Sequence, residues 1–214
     1  LDVVSFGKIG YIKDDFIPKI RARAAAELKL NPMNIVFNAS HCHGVPCGDV
    51  LERTFTVLKE ALGKLEPVTV GVGTGREIRV QENRRMKLKD GRTIDVRHAY
   101  SLPPDAEVAE VGPIDPDIGI VRLDKINGDS LAVLYNFACH PIMGSPVGGP
   151  GSNTADMTGY SSQVIEDNMD EGTIALFIQG CGGDINPISL KSPLSSSAMA
   201  SAVSKLPSLP PYAF

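Results

Sequence analysis

The chain has 214 residues, a net charge of −4, 43% hydrophobic and 21% charged residues, the balance of a globular protein large enough for a substantial core. That charge, with no Lys/Arg run, excludes recruitment of nucleic acid by bulk electrostatics, and no apolar stretch approaches the length of a membrane span. Four cysteines (Cys42, Cys47, Cys139 and Cys181) are too few for a disulfide scaffold and leave the redox compartment open.

The first residue is Leu, and "LDVVSF" reads as the end of a buried strand. The true N-terminus is therefore expected upstream, and the lack of a visible signal peptide says nothing about secretion. "DDFIPKIRARAAAELKL" predicts a helix: Asp14 or Asp15 caps it, Pro18 fits its first turn, and Ile20, Ala24 and Leu28 share one face. Asn31-Pro32 ends it. "NIVFNA", residues 34–39, predicts a short buried strand. "GDVLERTFTVLKEALGKL" predicts a second amphipathic helix with Leu51, Phe55, Leu58 and Leu62 inward, and "PVTVGVGTG" a returning strand.

Hairpins come next. Asp90-Gly91 lies between polar runs, and Asn127-Gly128 lies between two apolar ones, the stronger of the two turn signals. "GSPVGGPGSN" reads as a loop, "ADMTGYSSQVIEDNM" as a helix and "TIALFIQG" as a buried strand. Helices and strands alternate early and hairpins intervene later, which predicts an α/β fold with a mixed β-sheet, flanking helices and inserted hairpins. After Pro187 the chain holds no acidic residue and its apolar residues lose their period. Residues 1–188 are read as one domain. Residues 189–214 are read as an irregular or disordered Ser/Ala/Pro-rich tail, with a frame-shifted or truncated end as the alternative.

Three strand ends carry the residues with chemistry. In "NIVFNASHCHGVP" two histidines, His41 and His43, follow an apolar run. On an extended chain residues i and i+2 point the same way, so both rings would face one cavity beyond a strand end, where open α/β sheets bind ligands. Neutral imidazole is a common zinc ligand; two histidines in a polar turn is the plainer alternative. In "LAVLYNFACHPIMG" five of the six residues from Leu131 to Asn136 are apolar or aromatic. This predicts a strand buried on both faces that delivers His140, with Pro141 ending it. Of four histidines only His98 lies elsewhere, in what reads as an exposed loop. In "ALFIQGCGGDINP" glycines surround Cys181 and precede Asp184, which could orient a His, order the loop or bind an ion, against a simple Gly-rich turn.

Other motifs fail. Gly71, Gly73 and Gly75 have the wrong spacing for a dinucleotide fingerprint and precede strand-like residues. The chain contains no Gly-x-Ser-x-Gly, no phosphate-loop lysine motif and no His-Glu-x-x-His. Cys42 and Cys47 do not form a Cys-x-x-Cys zinc module, and a structural zinc in that cluster is a minor alternative.

Taken in order, "SHCHGVP", "ENRR", "GPIDP", "FACHP", "DMTG" and "GDINP" resemble the ordered motifs of the neutral/alkaline, non-lysosomal ceramidase family. The resemblance covers roughly residues 1–188. It implies a zinc amidohydrolase in which His41 and His140 bind Zn²⁺. It places His43 near the substrate carbonyl and Arg84 where negative charge develops. It also implies a lipid amide substrate, peripheral membrane contact through that substrate, and a secreted or periplasmic location. Two departures stand out. The family's loop Ser is Asn186 here, and an amide is no nucleophile. The family's other zinc ligands, a Glu and a Tyr, belong to a portion beyond the match, and Glu166 would replace them only if its helix pointed inward.

The expectation is therefore a zinc-dependent hydrolase of an amide bond working through metal-activated water. His41 and His140 are the metal ligands, His43 is the proton shuttle, Arg84 the oxyanion donor, and Asp184 an outer partner of the site. Two alternatives remain open: a truncated, non-catalytic remnant, and a thiol hydrolase using Cys181 with a nearby His as base.

Overall fold

The computed structural model describes residues 1, 5–7, 10–96, 101–142 and 155–188. His98, the loop at 144–153 and the tail at 189–214 lie outside these residues, as does most of the "LDVVSF" segment.

Two helices form an apolar cluster of their own. α1 (Phe16–Leu28) buries Phe16, Ile20 and Ala24 on one face, and Lys29 closes it in the left-handed conformation, φ 58°. α2 (Val50–Leu62) turns Phe55 inward. Ile12, Phe16, Ile20 and Phe55 form the cluster, flanked by Phe6, Phe37, Leu51 and Leu58. Phe6, Phe16 and Phe37 meet pairwise with ring centroids 5.9–6.0 Å apart. The Arg23 guanidinium covers the Phe55 ring at 3.8 Å and also pairs with Glu27 and Glu52. The periodicity thus located both helices and their inner faces.

The main sheet is mixed. It comprises β1 (Val68–Arg76), β6 (Asp117–Lys125), β7 (Ser130–Phe137) and β8 (Ile174–Gln179), in the order β1-β6-β7-β8. β1, β6 and β7 pair antiparallel, and β8 joins β7 in parallel. The β6–β7 hairpin turns at Asn127-Gly128, as the sequence predicts, and Gly128 has φ 99°, a conformation that favours glycine. The parallel step needs a crossover, and α3 (Asp156–Asp167) lies within it. α3 covers the face that carries Val133, Tyr135 and Phe137; the Tyr135 hydroxyl donates to the Thr158 carbonyl at 2.9 Å and lies 2.6 Å from Ser161 Oγ. The opposite face carries the row Val72, Val121, Leu134 and Leu176. Val72 there is 77% exposed.

Two smaller sheets complete the fold. β3 (Arg85–Leu88) pairs with β4 (Thr93–Asp95) around Asp90-Gly91, the second expected hairpin, and with β5 (Val108–Val111). β2 (Gln81–Asn83) pairs antiparallel with β9 (Ile185–Pro187), joining segments a hundred residues apart. The α/β class with a mixed sheet, flanking helices and inserted hairpins is as the sequence predicts. No helix among the described residues is long and apolar enough to cross a membrane.

Two local expectations need correction. Residues 34–39 form no assigned strand. Pro32–Asn34 is a short 3₁₀ turn, and the backbone beyond it is tied down at single points: the Arg21 guanidinium donates to the Ile35 carbonyl, Ser40 N–H to the Leu1 carbonyl, and the Leu1 amine to the Asn38 carbonyl. Val36 is 87% exposed, so an apolar run there did not mean burial. β8 is an edge strand rather than a fully buried one, with Ile174 and Leu176 exposed. Its open side is covered by side chains instead: Ala175 N–H donates to Glu166 Oε1 and Gln179 N–H to Asn38 Oδ1.

Candidate metal centre

β7 is the central buried strand and anchors the residues just beyond its end. Ala138, Cys139 and His140 continue from it, all buried. The Gly-rich loop after β8 lies directly against them. A Cβ on Gly180 would meet the Ala138 backbone at 3.0 Å, and one on Gly182 would meet Cys139 at 3.1 Å. Glycine suits both positions because the two backbones approach closely there. The contact holds His140 in place: its N–H donates to the Ile185 carbonyl at 2.9 Å, and its Nδ1 meets the Gly182 carbonyl at 2.6 Å. A carbonyl only accepts, so Nδ1 carries the proton and Nε2 presents its lone pair.

That lone pair faces His41. The two Nε2 atoms are 2.8 Å apart, so the proton between them belongs to His41. His43 closes the group: ring centroids are 5.0 Å (His41–His43), 4.3 Å (His41–His140) and 5.5 Å (His43–His140). Ligand atoms of all three rings lie within 4.8 Å of one another. The pair does not converge by the alternation of an extended chain. His41 has φ 64°, in the left-handed region. For a non-glycine residue this costs about 1–3 kcal/mol, and such conformations gather at functional sites. Cys42 between the rings is buried, its Sγ 3.6 Å from the Ala155 carbonyl and 3.8 Å from Thr158 Oγ1 on α3.

Burial and the neighbouring charges disfavour protonation of His140 and His43. Burial foremost, then the charges of His41, His43 and Arg84, bring His140 from its ordinary 6.5 down to about 4, against the raising effect of the Gly182 bond. Burial also lowers His43, as do His41 and Arg84, while Asp156 opposes them. Both rings are thus neutral near pH 7, the form that binds metal. The donor set fits zinc: borderline-soft nitrogens from separate segments, one tautomer preset by a carbonyl.

Folded His140 resists a proton that the unfolded chain accepts below pH 6.5. The unfolded state then binds more protons, so His140 lowers stability as pH falls from 6.5 through about 4 and adds no pH dependence above 6.5. Denaturation midpoints of chelator-stripped protein should fall across that window. In His140→Asn, which has no titrating ring, the fall should be shallower.

The backbone of Arg84 is held beside the β2–β9 pairing. Its N–H donates to the Asp184 carbonyl at 2.8 Å, and its carbonyl accepts from Val96. Its side chain is 14% exposed, with Nε 3.0 Å from Asp95 Oδ1, an ion pair by distance without an aligned hydrogen bond. The Asp184 carboxylate lies 3.4 Å from Asn83 Nδ2 and 3.6 Å from Arg85 Nε. It thus ties the Asn83–Arg85 segment to the loop, while the group that orients His140 is the Gly182 carbonyl. Asn186 is fully buried on β9. Glu166 faces β8, not the histidines. Cys181 is exposed and lies outside the imidazole group; Cys139 is buried, its thiol pushed up to about 12. Sequence reasoning missed the Gly182 carbonyl, a backbone group with no side-chain signal.

No protein-family model and no curated protein sequence matches the chain. Solved structures do. Neutral ceramidase from Pseudomonas aeruginosa superposes with a TM-score of 0.56 at 18% identity, over 80% of this chain and 29% of that one. A ceramidase complexed with C2 gives 0.50 at 19% identity, over 80% and 28%. The fold is therefore ceramidase-like, and the chain spans less than a third of either structure's length.

Proposed function

We propose that this chain carries the metal-binding part of a zinc-dependent hydrolase that cleaves an amide bond, with a lipid amide of the ceramide class as substrate. One observation carries the reading: in a ceramidase-like fold, three imidazoles from two separate segments bring ligand atoms to within 4.8 Å of one another.

His41 and His140 hold the metal. A zinc ion held there would supply polarisation of a carbonyl and a water whose pKa is lowered to about 7. His43 is the exposed member of the group, so its ring is the one open to take a proton from water and return it to the leaving amine. Arg84 stays charged and offers its guanidinium to negative charge developing on the carbonyl oxygen. Asp184 holds the Asn83–Arg85 segment that carries Arg84. Asn186 has no nucleophilic atom, which leaves water as the attacking group.

The test is elemental analysis of the purified chain beside hydrolysis of fluorogenic N-acyl lipids. The reading requires about one zinc per chain and cleavage that a chelator stops and zinc restores. Absence of zinc sinks it. A second reading has its own support: the chain spans 29% of the neutral ceramidase structure. If it binds zinc and cleaves no amide, it is a metal-binding piece whose turnover needs more chain. Cleavage that survives chelation and disappears in Cys181→Ser would point to the exposed thiol instead.

A further inference from the structure

The main sheet ends differently on its two sides. β8 has its open side tied to side chains, Ala175 N–H to Glu166 and Gln179 N–H to Asn38. β1 is the other edge strand, and among the described residues its outer backbone meets no partner. It is nine residues long and pairs with β6 without a bulge from Val68 to Arg76. From Val68 to Gly75 it carries no charge and no proline. Lysine, proline, a bulge or a short strand is what usually keeps an open edge from pairing, and β1 has none of these. Val70 and Val72 are 63% and 77% exposed. Between them, a Cβ on Gly71 would meet nothing within 4 Å, so no contact inside the chain calls for glycine there. A glycine inside a strand weakens it and often marks the approach of another backbone.

The edge is complementary to itself. Two antiparallel copies related by a two-fold axis at Gly71 place Val70 opposite Val72, Thr69 opposite Gly73 and Val68 opposite Thr74, each pair occurring twice. Just beyond this ladder, Glu66 of each copy falls opposite Arg76 of the other. Both residues are exposed, and neither enters an ion pair among the described residues. Moving the axis by one residue, to Val72, sets Glu66 against Ile78 and Arg76 against Val68, and the charge match is lost. We propose that β1 is a dimerisation edge: a second copy of this chain adds its own β1 antiparallel in the Gly71-centred register. Two four-stranded sheets then join as one of eight strands, with Glu66 paired to Arg76 at both ends. No residue of the imidazole group takes part, so the inference stands apart from the metal reading.

The experiment is analytical ultracentrifugation of the full chain over a concentration series. The parent is compared with Glu66→Arg, Arg76→Glu, the double variant carrying both, and Val72→Lys. All three positions are exposed, so the monomer should keep its fold, which circular dichroism checks. The parent should show a monomer–dimer equilibrium. Each single reversal sets like charges opposite one another at both ends and should raise the dissociation constant roughly tenfold. The double variant exchanges the charges and should return the constant to near the parent's. Val72→Lys brings a charge next to the axis and should abolish the dimer. A parent that stays monomeric at every concentration overturns the proposal, leaving the edge for some other chain. A dimer indifferent to all the variants is built elsewhere and overturns it too. Loss in Val72→Lys with both reversals silent would put the same edge in another register and overturn the one proposed.

Discussion

Alanine at His140 is expected to remove zinc from the protein and, with it, amide hydrolysis by about three orders of magnitude or more, since the metal contributes several kcal/mol to the transition state. His140 is the most constrained of the three rings. It is buried, its Nδ1 is held by the Gly182 carbonyl at 2.6 Å, its backbone N–H by Ile185, and its Nε2 faces His41 at 2.8 Å. Among the described residues, His41 and His43 are the only other His, Cys, Asp or Glu in that group. His41→Ala should have the same effect on zinc, because His41 supplies the facing nitrogen. The Gly182 carbonyl loses its donor in His140→Ala, which costs about 1–3 kcal/mol if water does not replace it. Circular dichroism and the unfolding midpoint therefore accompany the metal analysis. Folded His140→Ala protein that retains zinc at the parent's stoichiometry would show that the imidazole group is not the metal site.

The elements written by local chemistry were legible in the sequence. Asn127-Gly128 set the β6–β7 hairpin because the turn needs a positive φ, and Gly128 has it. The faces of α1 and α2 followed from the helical period. The histidines were legible as a group because each follows an apolar run, even though one such run, residues 34–39, is no assigned strand and leaves Val36 exposed. Apolar composition reports what a segment can bury, and the partner decides whether it does. Two features of the site had no local signal. The three-residue pairing of β2 with β9 is set by tertiary packing across a hundred residues, yet it brings Arg84 to the Asp184 carbonyl. The left-handed backbones of His41 and Asp156 are strained states that local preference argues against. Sequence reasoning named His41 but had no signal for either backbone, because surrounding contacts hold there a conformation the residue itself disfavours.

Removing the guanidinium of Arg84 should lower kcat/KM by roughly 10²–10³ and leave zinc content at the parent's level. The backbone of Arg84 is pinned between Asp184 and Val96, so truncation at Cβ leaves the chain path intact. Its ion-pair partner, Asp95, is 38% exposed, and water can replace the lost cation there; the stability cost is that of a partly solvated pair, about 1 kcal/mol or less. On the proposed reading most of the effect then falls on the transition state, where the guanidinium would meet the negative charge forming on the carbonyl oxygen. Arg84→Lys keeps the charge but loses the planar fork, so it should recover only part of the rate. The same substitution tests a competing role. Arg84 is one of the charges that hold the protonation of His43 and His140 down, so its removal eases their protonation and moves the acid limb of the rate profile to higher pH. A shifted acid limb with an undiminished plateau would mean that Arg84 only tunes the histidines. A plateau lowered at every pH, with zinc retained, would place its charge on the reacting oxygen.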